Sequence, residues 1–348
     1  MLEMLRKAVE LKGSDLFIIP GAPVEVKVHG KLVSLTEQKI MPDETKRLIR
    51  EMYELANRDF EVLEREGDDD FSFTIPQVSR FRCNTYRQRG SLAAICRIVR
   101  FRLPDPKEMG IPDIVMDLAE QRSGMILVTG PAGSGKSTTL ACLVDHINST
   151  RSGHIVTIED PIEYLHPHKL SLVSQREVPH DAATFSRALR AALRQAPDVV
   201  MLGEMRDLDT IRTAITAAET GHLLLSSLHT IGAAKTMDRI VDAFPAEQQA
   251  QIRVQLSMVL KAVVSQRLLP TVEGTRMPVF EVMTVNPAIQ NMIRDGRTHQ
   301  IDNVIYGGND KTMLSMDSEL QRLVKSGIIT RDTAIAFAIN PDTLAKRI

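Results

Sequence analysis

The 348-residue sequence predicts an α/β chain in two unlike parts, an α+β region over residues 1–100 and then a parallel sheet covered by helices. Three observations carry this expectation. Four unbroken apolar runs, MILVT (125–129), HIVTI (154–158), VVML (199–202) and LLLSSL (223–228), alternate with helical stretches, as strands buried on both faces do. Upstream of residue 100 the texture is α+β, and in VEVKV the valines at 24, 26 and 28 alternate with polar residues. Between the two textures, FRLPDPKEMGIPD (101–113) holds three prolines and a glycine and reads as an interdomain linker.

The elements follow in order. A short amphipathic helix (Leu2, Leu5, Val9) leads to the strands DLFII and VEVKV, and His29-Gly30-Lys31 turns the chain into KLVSL as a hairpin. Next comes a helix opened by Asp43 as N-cap, with Leu48, Met52, Leu55, Phe60 and Leu63 near helical spacing. DFSFTI, RFRCNTY and LAAICRIV are three further strands. Beyond the linker the second domain spans 114–348. From residue 245 helical pattern dominates, in EQQAQIRVQLSMVLKAVVSQRLL, NPAIQNMIRDG, DSELQRLVKSG and RDTAIAFAI, so C-terminal helices are expected over about 271–348.

Composition narrows the class. With 43% hydrophobic and 25% charged residues the chain is not expected to be disordered. No run approaches the ~18 apolar residues of a membrane span. The charged N-terminal stretch lacks the apolar core of a signal peptide. Forty-three Lys+Arg against 44 Asp+Glu give no global pull toward nucleic acid. Three cysteines (Cys83, Cys96, Cys142) fit neither a disulfide framework nor a zinc cluster, and point to the reducing cytoplasm.

The sharpest motif is GPAGSGKS, with Gly130, Gly135, Lys136 and Ser137 matching G-x-x-x-x-G-K-[ST]. With glycine at about 7% of residues, such a match arises by chance in about one chain of this size per hundred. A strand before it and the helix STTLACLVDHIN after it are what a phosphate-binding loop requires. The backbone of Gly130, Pro131, Ala132, Gly133, Ser134 and Gly135 can turn its N–H groups onto phosphate, with Thr138 in the following turn. Lys136 suits the β- and γ-phosphates and Ser137 a Mg²⁺ ion, so a nucleoside triphosphate is the expected ligand. Acids cluster past strand ends in EDPIEY (Glu159, Asp160, Glu163) and at Glu204 after VVML, where ligands of open α/β sheets sit. One carboxylate to activate water and one to organise Mg²⁺ would suffice for hydrolysis. Each acid alone could equally cap a helix or sit in a solvated loop. His222 and His229 flank LLLSSL. A structural role is open for both, while His229 at the carboxyl end can reach a γ-phosphate. The GTP-specific N-K-x-D is not found.

Together GPAGSGKST, TIEDPIEY, the GEMRD stretch and ETGHLLLSSLHT resemble, in order and spacing, the Walker A, Asp box, Walker B and His box of the secretion ATPase superfamily. Within it the whole chain resembles the retraction ATPases of type IV pili. VSQRLLP and AIQNMIRDGRTHQI add to the match, and the four-cysteine zinc insert usual in pilus-extension and type II secretion relatives is missing. One departure is RQAPD, where the family commonly has R-Q-D-P-D. Ala196 there is similar to PilU-like accessory paralogues, and a carboxylate that tunes the site would be lost with it.

The resemblance implies a PAS-like N-terminal domain, a RecA-like ATPase domain and a homohexameric ring that hydrolyses ATP with Mg²⁺. Glu163 would activate water, and Glu204 would support the metal, directly or through water. Arginines of the N-terminal domain would reach the γ-phosphate, the candidates being Arg80, Arg82, Arg87, Arg89 and Arg97. Arg97 shares its strand face with Ala93, Ile95 and Val99, an unusual place for a solvated arginine, although a snorkelling edge arginine is the other reading. The implied partners are an inner-membrane platform protein and the pilus machinery. The implied place is the cytoplasmic face of the inner membrane, with no direct membrane or nucleic-acid contact. Motors for pilus extension or type II secretion, and an accessory retraction ATPase, are the alternatives. AIQNMIRDG reads as one short helix between Pro287 and Gly296. Ala288, Ile289 and Met292 would face inward and Gln290, Asn291 and Arg294 outward, as a coupling face or as plain packing.

Overall fold

The computed structural model describes residues 1–99, 103–307 and 312–348. Residues 101 and 102 of the expected linker lie outside the described residues. The chain divides into two compact units, Met1–Arg102 with Glu163–Leu165, and Leu103–Ile162 with His166–Ile348.

The first unit runs α1 (Leu2–Glu10), β1 (Asp15–Ile18), β2 (Glu25–Val28), β3 (Lys31–Ser34), α2 (Pro42–Leu55), α3 (Glu61–Glu66), β4 (Asp68–Ile75), β5 (Ser79–Gln88) and β6 (Ser91–Val99). Among the described residues its antiparallel sheet has the order β3-β2-β1-β6-β5-β4. β4 shows the period-2 logic, burying Phe71, Phe73 and Ile75 while Asp70, Ser72 and Thr74 stay outside the core. Leu48, Ile49, Met52 and Tyr53 of α2 pack on the same side as Leu16, Val26, Phe81 and Cys96. The single helix expected from Asp43 to Leu63 is two helices. Asn57 takes a left-handed φ of 50° after α2, a conformation that an asparagine tolerates and a continuing helix does not. Pro42 is at the first helical position, so Met41 is the N-cap and Asp43 sits in the first turn, where its charge still favours the helix dipole.

The second unit contains α4 (Asp113–Met116), β7 (Gly124–Thr129), α5 (Lys136–Thr150), β8 (His154–Glu159), β9 (Leu172–Glu177), α6 (Phe185–Ala192), β10 (Val199–Leu202), α7 (Leu208–Glu219), β11 (Leu223–Leu228), α8 (Ala233–Asp242) and α9 (Ala246–Val259). β12 (Leu260–Pro270), β13 (Arg276–Thr284), α10 (Pro287–Arg294), α11 (Ile301–Gly307), α12 (Met316–Lys325), α13 (Arg331–Phe337) and α14 (Pro341–Ala345) complete it. The four apolar runs are β7, β8, β10 and β11, in a sheet of order β13-β12-β7-β11-β10-β8-β9. Among the described residues, β13 alone in this sheet is antiparallel to its neighbour. Leu127, Val156, Val200 and Leu224 pack under α6 to α9, whereas Ile126, Ile155, Val199 and Leu225 pack under α4 and α5. Both faces are dry, which is why these runs are unbroken.

Three expectations fail here. The helix expected through residue 269 stops at Val259, where Leu260 turns extended and enters β12. KAVVSQRLL has no period that separates a buried strand from a buried helix, and its position beside β7 makes it a strand. The residues after 271 begin with β13 rather than with helix, so the helical part of the C-terminus starts at Pro287. β9 is a polar edge strand that no apolar run announced.

In α10 the Asn286 side chain accepts the Ile289 N–H at 3.0 Å and makes Pro287 the first helical residue. Gly296 at φ 70° ends the helix, with Gly296 N–H bonding Ile293 O and Arg297 N–H bonding Met292 O. That phase buries Ile289 and Ile293 with Met292 partly covered, and leaves Ala288 exposed, against the expectation that it is core.

Ala196 precedes β10 at the amino edge of the sheet, the edge opposite the phosphate-loop motif, so it does not tune that site directly. It is exposed and holds a φ of 50°, which costs an alanine about 1 kcal/mol. Ala196→Asn should therefore raise stability by roughly 0.5–1 kcal/mol in urea unfolding and leave turnover unchanged. An altered turnover at equal stability would return Ala196 to the site. Among the described residues no helix is long and apolar enough to cross a membrane.

Candidate nucleotide-hydrolysis site

β7 delivers the chain into Gly130–Gly135 at the carboxyl edge of the sheet, and α5 leaves from Lys136. Gly130 has φ 145°, and a Cβ there would meet the Gln266 carbonyl oxygen at 2.1 Å. At Gly135, φ 91°, a Cβ would lie 2.9 Å from Gln266 Nε2. Only glycine lets the loop close this tightly against β12. Gln266 also accepts the Thr139 hydroxyl at 2.7 Å through Oε1, so this buried side chain braces the loop and the first turn of α5 together.

Lys136 is 8% exposed, and its Nζ donates to Gly130 O at 2.9 Å and to Pro131 O at 3.0 Å. The ammonium is thereby held inside the curl of the loop. Ser134 Oγ is buried in the same curl without a hydrogen-bond partner. An orphaned hydroxyl, a lysine turned inward and a glycine cradle fit an anionic phosphate. Pro131, Ala132 and Gly133 form the exposed rim, and Ser137 and Thr138 lie half-buried in the first turn of α5.

The neighbouring strand ends bring the other groups to the same edge. Gly203 N–H donates to Ile158 O at 2.8 Å, and the Ser227 hydroxyl donates to Gly203 O at 2.6 Å, tying the ends of β8, β10 and β11 together. The Glu204 side chain is 12% exposed, and its Oε2 lies 2.7 Å from Arg206 Nε and 3.3 Å from His229 Nε2. Glu204 and His229, far apart in sequence, are thus one pair. In EDPIEY, Glu159 is buried and committed to structure, accepting from Thr157 Oγ1 at 2.6 Å and Gln175 Nε2 at 3.2 Å. Asp160 and Glu163 are exposed after the strand. Glu177 of β9 accepts the Ile162 N–H at 3.0 Å and so fixes the turn just before Glu163. His222 lies at the other end of β11 and bonds the Thr220 hydroxyl and the Ala217 carbonyl of α7.

The arginines belong to the first unit. Arg97 stands opposite Asp15 on β1 and Arg82 on β5, and its Nε contacts Asp15 Oδ1 at 3.0 Å. At 69% side-chain exposure it is not the enclosed arginine its apolar neighbours suggested. Arg80 donates to Thr74 Oγ1, Arg87 donates to Glu64 O, and Arg89 occupies a turn with φ 49°.

A family model described as type II/IV secretion system protein matches residues 1–326. The chain belongs to the type II/IV secretion system protein family. This secretion-family chain is 42% identical over 344 residues to the type IV pilus retraction ATPase PilT of Pseudomonas aeruginosa, across 98% of each. It is 41% identical to a twitching motility protein of Neisseria gonorrhoeae, over 99% of this chain and 92% of that relative. Its fold matches the crystal structure of the pilus retraction motor PilT with bound ADP at a TM-score of 0.90, with 44% identity and 99% of both chains covered. Gln266 and Glu177 were not recognisable as site residues beforehand. VSQRLLP carried the first as part of a resemblance, and no signal marked the second.

Proposed function

We propose that this chain is the ATP-hydrolysing subunit of a motor that retracts type IV pili. The observation that carries the reading is the convergence of the phosphate loop, the Glu204–His229 pair and the carboxyl end of β8 on one sheet edge. The full-length similarity to retraction ATPases selects this motor among other nucleotide hydrolases. In this reading residues 1–100 are a PAS-like domain, 114–348 a RecA-like domain, and six copies form a ring at the inner face of the cytoplasmic membrane. An inner-membrane platform protein and the pilus base are the partners, and nucleic acid is not.

ATP phosphates take the place of the loop carbonyls on Lys136, and Ser134 gains the partner it lacks. Ser137 and Glu204 would hold Mg²⁺. Both offer hard oxygen donors, and no group of three His, Cys, Asp or Glu converges on a metal among the described residues. When bound, the ion would supply charge neutralisation on the transferring phosphoryl group. Glu163 accepts the proton of the attacking water. His229, oriented by Glu204, meets the γ-phosphate and changes its contacts when that phosphate leaves. Arg82 and Arg97 are the arginines that would supply positive charge to a γ-phosphate in this reading.

The test is paired. The purified chain should release phosphate from ATP with Mg²⁺, and its gene should restore twitching to a strain lacking its retraction motor. Hydrolysis that appears only with nucleic acid, or restored pilus extension without retraction, would overturn the reading.

A further inference from the structure

Glu281 on β13 is an acid that the hydrolytic scheme leaves unused, yet it is 4% exposed and fully engaged. Its Oε1 accepts the Ala233 N–H at 3.1 Å, at the first residue of α8, and the Met316 N–H at the first residue of α12 also bonds it. Directly across on β12 stands Ser265, whose Oγ accepts the Gly232 N–H at 2.9 Å. Two successive N–H groups at the start of α8 are therefore held by side chains of the β12–β13 hairpin. Only Thr230 and Ile231 separate them from His229. Thr230 is itself tied to Thr236 of α8 at 2.8 Å, and the Thr236 hydroxyl donates to Gly232 O at 2.8 Å. The position of α8 thus dictates where His229 meets Glu204.

We propose that Glu281 is a positioning residue for ATP hydrolysis, holding the His229 loop by anchoring the starts of α8 and α12 through its carboxylate. The inference rests on the retraction-ATPase reading of the site and adds a residue to it. An anion at two helix N-termini gains from both dipoles. The charged groups facing it are Asp302 of α11 and Asp317 of α12, which repel it, and Arg267 of β12, which attracts it. Lys235 and Asp238 of α8 act on Asp302 in turn. Burial, followed by the two aspartates, pushes the Glu281 carboxyl up to about 7 despite the N–H bonds. Its contribution to stability is therefore complete below its ordinary value of 4.5 and is lost as pH rises through about 7. Above that pH the anchor is charged and strongest while the fold carries an unfavourable buried anion, so positioning and stability change in opposite directions.

Glu281→Gln mimics the protonated carboxyl, with one acceptor oxygen and no charge. At pH 5.5 the wild type and Glu281→Gln should hydrolyse ATP within about twofold of each other. At pH 8 the wild-type kcat should exceed the variant's by about five- to tenfold with KM for ATP little changed. Over the same range the variant should gain melting temperature relative to wild type. Groups that titrate alike in both proteins, His229 included, cancel in the ratios. Hydrogen exchange at pH 8 should be faster in the variant over residues 229–235, a readout independent of turnover. A pH-independent activity ratio, or activity and stability falling together, would overturn the proposal. A wild type without ATPase activity but with the exchange difference would instead sink the functional reading and keep the anchor.

Discussion

Lys136→Ala is expected to lower ATP affinity on the order of a hundredfold or more and to take phosphate release below detection. The charge-assisted bonds of a buried ammonium to phosphate amount to about 2–4 kcal/mol in a water-poor site. Lys136 is already inside the loop, its Nζ at 2.9 Å from Gly130 O, so no search for the bound geometry is needed. The same contacts also contribute to the fold: bonds from a charged donor to the Gly130 and Pro131 carbonyls are worth about 1.5–3 kcal/mol each. Calorimetric titration with Mg²⁺-ATP and a melting curve separate the two effects. Lys136→Arg should not rescue, since a planar fork does not fit the curl that Gly130 and Gly135 close against Gln266. Near-wild-type affinity in either variant would sink the phosphate-loop assignment.

The second large effect separates the two acids. Glu163→Gln should retain ATP binding and slow hydrolysis by about 10²–10⁴, because an amide cannot take a proton from water. Glu204→Gln should also slow hydrolysis by at least about tenfold, while raising the Mg²⁺ concentration needed for half-maximal rate. The Glu204 oxygen that meets both Arg206 and His229 loses its charge in that variant, so His229→Ala should reproduce part of the defect. A Mg²⁺ requirement that rises in Glu163→Gln and not in Glu204→Gln would exchange the two roles.

The sequence by itself determined the phosphate loop, the four central strands and their parallel sense. These depend on short-range rules: glycine at positive φ, a strand feeding a helix, and an apolar run that must be covered on both sides. The acids past β8 and β10 were visible for the same reason, since strand ends can be counted. Tertiary structure decided the rest. Residues 260–269 read as helix because an apolar run has no memory of its neighbour, and only pairing with β7 and β13 makes them β12. The Asp43–Leu63 stretch broke in two at Asn57, where a single backbone conformation overrides an otherwise helical spacing. Arg97 shares an apolar strand face in sequence, yet Asp15, 82 residues away, accounts for its exposed pairing. Glu177 and Glu281 carry no local pattern at all, and Gln266 stands only within the VSQRLLP resemblance. Each matters because a chain-distant backbone or side-chain group lies within hydrogen-bond reach, and such long-range neighbours exist only once the sheet has assembled.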